Sequence, residues 1–173
     1  AYVVASNEDS ITSIDISNPN DLTELDSLTN TNLNLAYGVT LDLTNQVAYV
    51  ASTSSNSITS IDISDPSNLT ELDSLSNSNL NLAQELVLDL TNQVAYVAAG
   101  ISDSITSIDI SDPSNLTELD SLSSSNLNGA REVALDITNQ IAYVASSVAG
   151  SITSIDISDP SNLTELDSLS NSN

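Results

Sequence analysis

Glu71 and Asp73 stand two residues apart in the run LTELDSL, and the pair recurs as Glu24/Asp26, Glu118/Asp120 and Glu165/Asp167. On an extended strand, side chains two apart share a face at roughly 6.6 Å, near the lower end of the spacing at which two carboxylates hydrolyse a glycoside with inversion. A carboxylate-dependent hydrolase is therefore one reading. Against it, a catalytic pair is needed once and this one is written four times. That fits a charged, solvated outer edge whose carboxylates discourage pairing with other sheets.

Other chemistry is scarce. The chain has no His, Cys, Met, Phe or Trp, and its only Lys or Arg is Arg131, against 24 Asp and Glu and a net charge of −23. Without His, Cys or Lys there is no Ser-His or Cys-His couple, no Schiff base and no ordinary zinc site. The aspartates of the IDIS runs, Asp15, Asp62, Asp109 and Asp156, sit among β-branched residues and are expected to bond the amides of the following turn. No cofactor is expected. Calcium is the one ion that an oxygen-rich chain invites, although no calcium-loop spacing is present. So acidic a surface excludes nucleic acid and anionic membrane as partners, and no apolar run approaches a membrane span.

The elements that position these residues repeat. The anchor Ala-Tyr-Val falls at Ala1, Ala48, Ala95 and Ala142, a period of 47 without insertions. Residues 1–173 thus form a single array of blade-sized copies, 1–47, 48–94, 95–141 and an incomplete 142–173. Each full copy carries four β-type runs. Gly38 to Leu43 alternates, with Val39, Leu41 and Leu43 on one face and Thr40 and Asp42 on the other. Val47 to Ser52, Ser57 to Ser64 and Leu69 to Leu75 follow, the last two joined by the turn SDPSN, in which Pro66 presets φ and Asp65 bonds ahead. No helix signal appears. Four short strands at this period predict an all-β fold of propeller blades, each of four antiparallel strands; a β-solenoid is the alternative. Counting strands, the first blade lacks its innermost one, which is expected from preceding sequence in a longer parent or from a neighbouring subunit.

The run VAYVAS…SITSIDISDPSNLTELDSL, present from Tyr49 to Leu75 and in the other three copies, resembles the LVIVD-repeat propellers and is similar to the YVTN-like propellers of microbial surface proteins. That resemblance implies an extracellular or cell-surface protein without one shared activity.

The copies differ on one face. The second–third loops read SNEDS, STSSNS, AGISDS and SVAGS, and the links end in LAYG, LAQE and GARE, whereas LTNQ and SDPSNLT barely change. In a blade those loops and links share one side of the disc, so Asn7, Glu8, Asp9, Tyr37, Gln84, Glu85, Asp103, Arg131 and Glu132 form the candidate ligand-binding face, set against simple loop drift. Arg131 is the one group there that could take an anion, or pair with Glu85 or Glu132. On the opposite face, Asn68, Asn115 and Asn162 begin sequons and are candidate glycosylation sites. The expectation drawn from all this is a protein that is not an enzyme: a structural or adhesive propeller module, in a fibre or other repeating assembly, whose partners are further copies, other surface proteins or glycans. The alternatives are a ligand- or glycan-binding propeller acting through the variable face and, last, the carboxylate hydrolase.

Overall fold

A computed structural model describes residues 1–170. The four antiparallel sheets expected of propeller blades are present. The first holds β1 (Tyr2–Ala5), β2 (Ser10–Asp15) and β3 (Thr23–Thr29). Three four-stranded sheets follow: β4 (Ala36–Asp42), β5 (Val47–Ser52), β6 (Ser57–Asp62) and β7 (Thr70–Ser76); β8 (Ala83–Asp89), β9 (Val94–Ala99), β10 (Ser104–Asp109) and β11 (Thr117–Ser123); and β12 (Ala130–Asp136), β13 (Ile141–Ser146), β14 (Ser151–Asp156) and β15 (Thr164–Ser170). Each full blade is a meander in chain order, and the first sheet lacks an innermost strand. The innermost strands are neighbours, β4 against β8 and β8 against β12, with β1 beside β4.

Both faces of a blade are buried, which is why the second strand reads as a continuous apolar run. Val47, Tyr49 and Ala51 of β5 join a core with Ala95 and Val97 of the next blade, while Ala48 and Val50 join the core shared with the first blade. The links, expected to be plain loop, each contain a 3-10 turn, at Thr31–Leu33, Ser78–Leu80 and Ser125–Leu127, and each turn buries its leucine between blades. In the first two, an Asn side chain caps the turn by accepting backbone N–H groups, as Asn30 does from Asn32 and Leu33; a turn this short carries no helical periodicity to reveal it.

One strand is phased differently from its sequence pattern. Leu43 is not on the apolar face: it is 72% exposed, and Asp42 is buried instead. The Asp42 carboxylate accepts from the N–H groups of Thr44 and Asn45 and from Asn45 Nδ2 at 2.7 to 3.1 Å, rolling the chain into its hairpin before Leu43 can continue the strand. The IDIS aspartates do bond ahead, Asp62 accepting from Ser64 N at 2.8 Å and the others alike.

The repeated wording is explained by contacts from one blade to the next. Ser60 Oγ donates to Pro113 O, and Ser107 Oγ to Pro160 O, both at 2.6 Å. Asp26, Asp73 and Asp120 each accept, at 2.7 Å, from the backbone N–H of Leu69, Leu116 and Leu163 in the following blade. A residue that must fit both its own blade and the next copy has little freedom to differ.

Tyr49 and Tyr96 are fully buried, and among the described residues their hydroxyls have no hydrogen-bond partner. Burial first, and the nearby Asp42 or Asp89 charge second, push both phenols up from 10.0 to about 12. Between those values the native protein keeps two protons that the unfolded chain has lost, so stability is full below pH 10 and falls as pH rises through about 12. The double variant Tyr49→Phe/Tyr96→Phe is expected to lose that alkaline decline at no cost in stability near neutrality, because no hydrogen bond is given up. Thermal melts at pH 8 and pH 11 check this.

Candidate functional site

The link-side mouth of the innermost strands is built by three bulges in one register. Ala36 pairs with Ser52 and Gly38 with Ala51, leaving Tyr37 extra. Gln84 is extra between Ala83 and Glu85, and Arg131 between Ala130 and Glu132. A bulge bends its strand and re-aims a side chain, which is why bulges gather beside active sites. The chain enters each bulge through a positive-φ residue, Leu35, Leu82 or Gly129. The preceding blade's second–third loop holds that residue: Asp9, Asn56 and Asp103 accept its N–H at 2.9, 3.3 and 3.1 Å. Glycine is required at position 38, where a Cβ would collide with the Gln84 carbonyl oxygen.

These bonds sort the residues that the variable face brought forward. Asp9 and Asp103 are occupied in orienting the links, and Asn7 and Glu8 are exposed on the first loop. Tyr37, Gln84, Glu85, Arg131 and Glu132 are brought to one level of three adjacent inner strands. Gln84 is buried and Glu85 half-buried, while Tyr37, Arg131 and Glu132 are exposed. Burial, and then the charge of Glu132, lift the Glu85 carboxyl above its ordinary value. Arg131 and Glu132 also border a hollow of about 420 Å³ that lies on the uncovered flank of the last blade, with Ser146, Ser151 and the exposed Ile152 on its wall. Among the described residues no three Asp or Glu gather as a metal site. Asn68, Asn115 and Asn162 are exposed on the opposite side.

The carboxylate pair does not survive in the fold. Glu71 pairs with Ile61 and Asp73 with Ser60, so a bulge at Leu72 sends the two side chains to opposite faces of the blade. Glu71 then accepts from Asn30 Nδ2 and, at 2.8 Å, from Asn32 Nδ2, and Glu118 likewise holds Asn77 and Asn79 at 2.8 Å. Neither a catalytic pair nor a solvated edge, these side chains fasten each link and the next blade. The sequence concealed this because a one-residue bulge leaves no mark in a short strand.

Comparison with known proteins decides the family. The family model described as lactonase, 7-bladed beta-propeller matches residues 1–173. The chain belongs to this lactonase family. No curated protein matches it. Solved structures with the same fold include a protein from Lactobacillus plantarum (TM-score 0.83, 17% identity, 98% of this chain and 53% of the other). Others are a putative 6-phosphogluconolactonase from Bacteroides uniformis (0.80, 11%, 95% and 49%) and the periplasmic gluconolactonase of Pseudomonas aeruginosa (0.77, 12%, 97% and 50%). The chain spans about half the length of these structures. Membership corrects two expectations. The likeness to LVIVD and YVTN repeats holds only at the level of the propeller, and the reading as a non-enzymatic structural or adhesive module, with its fibre and surface-filament role, gives way to a lactonase family. Scaffold motifs identify blades, and blades serve unrelated chemistries.

Proposed function

We propose that the chain contributes to opening a lactone ring by water, at the link-side mouth of the inner strands. The observation that carries this is the alignment of three bulges, which sets Glu85, Arg131 and Glu132 at one level in a lactonase-family propeller. Glu85, with its carboxyl raised by burial and by Glu132, is the general base. It takes a proton from water as the water oxygen adds to the ester carbonyl carbon. The Arg131 guanidinium offsets charge on the carbonyl oxygen. The ring carbon–oxygen bond then breaks and the proton passes to the departing ring oxygen, giving a hydroxy acid.

Seven blades in the family description against four sheets here support further blades beside these in the working propeller. The open faces fit such neighbours: Ile152 is 57% exposed while its counterparts Ile58 and Ile105 are fully buried, and Leu22 is 60% exposed while Leu69 is buried. Placement outside the cytoplasm is part of the same reading, supported by the periplasmic neighbour and checked by cell fractionation.

Acid release from glucono-δ-lactone, followed by pH-stat, tests the activity. A rate above the spontaneous one, lost in Arg131→Gln and kept in Glu71→Gln, is expected. No rate above background would overturn the reading, and equal loss in both variants would move the site away from the mouth.

A further inference from the structure

We propose that this site opens uncharged lactones in preference to phosphorylated or carboxylated ones, an inference that rests on the lactonase reading above. A phosphate ester brings a charge approaching −2 to a chain of net charge −23 with a single cation. That cation, Arg131, is next in sequence to Glu132, and both are exposed on β12. Glu85 stands at the equivalent position of the adjacent blade. At this level of the inner strands one positive charge therefore stands against two negative ones, and Glu85 registers the charge of Glu132. The link-holding carboxylates Asp9 and Asp103 lie on the same side. The net charge of −23 gives the chain a potential of one sign, which lowers the local concentration of an anionic substrate and slows its encounter about 10- to 1,000-fold. An uncharged lactone meets none of this repulsion, and its carbonyl oxygen still has Arg131 to face.

Salt separates this effect from a tight or loose fit, because screening shortens from about 30 Å at 0.01 M to about 3 Å at 1 M. The experiment measures kcat/KM of the full chain for glucono-δ-lactone and for its 6-phosphate at 10 mM and 1 M NaCl. The neutral lactone is expected to lead by tenfold or more at low salt. The 6-phosphate alone should gain with salt, narrowing the gap. A preference for the phosphate ester at low salt, or a gap that salt does not change, overturns the inference while leaving the lactonase reading intact. Turnover of neither lactone overturns that reading and this inference with it.

Discussion

Replacing Glu85 by glutamine is expected to lower kcat for lactone opening by about 100- to 10,000-fold, the range a positioned general base contributes. The amide keeps the size of the side chain and removes its ability to take a proton from water. The same assignment fixes the pH profile. A base must be ionised to act, so the rate should rise with pH through the Glu85 titration, which burial and Glu132 shift upward from the ordinary glutamate value. Glu132→Gln removes the second of those causes, and the acid limb should move to lower pH. Steady-state rates from pH 4 to pH 8 for the wild type and both variants check this. A Glu85→Gln enzyme with wild-type kcat, or an acid limb that Glu132→Gln leaves in place, would rule Glu85 out as the base.

The second large effect concerns stability and compares two identical stretches. Ile105 and Ile152 occupy the same position in the run SITSID, yet Ile105 is fully buried beside Leu127 between two blades and Ile152 is 57% exposed. Ile105→Ala should cost about 2 to 5 kcal/mol, the lost transfer energy plus the cavity left behind, whereas Ile152→Ala should change stability by less than about 1 kcal/mol. Urea unfolding of the two variants gives the comparison, and equal costs would mean that the last blade is covered in solution as the inner ones are.

Much of the fold was legible because burial on two faces writes itself into composition. Val47–Ser52 emerges with the bounds read from its apolar run, and the IDIS aspartates bond where their turn chemistry placed them. What stayed hidden has one physical cause in several places. The extra residues at Tyr37, Gln84, Arg131 and Leu72 shift a two-residue alternation by one, and a single insertion in a seven-residue strand cannot be told from ordinary irregularity. The face on which the three bulges gather was visible in the sequence as the one on which the copies differ. Its chemistry was not. With no His or Cys to announce a catalytic group, an acid raised by burial looks in sequence like any other acid.

The contacts that join successive blades are interchangeable: the Asp73–Leu116 bond and the Asp120–Leu163 bond have the same length, 2.7 Å, and the same partners by type. These two bonds do not tell a blade which copy is its rightful neighbour, so during folding the order of the blades rests on the tether and on the few contacts that differ, such as Gly38 against the Gln84 carbonyl. From Ser76 to Ala83 the link covers seven residue steps, three of them in a 3-10 turn, which reach roughly 20 Å. Crossing from an outer strand to the inner strand of the adjacent sheet takes about 17 Å at ordinary strand and sheet spacings, and skipping one sheet takes about 24 Å. The short link thus acts as a ratchet on assembly, admitting the next blade and refusing the one after it. Lengthening it by a few flexible residues would relax that limit and permit misordered docking.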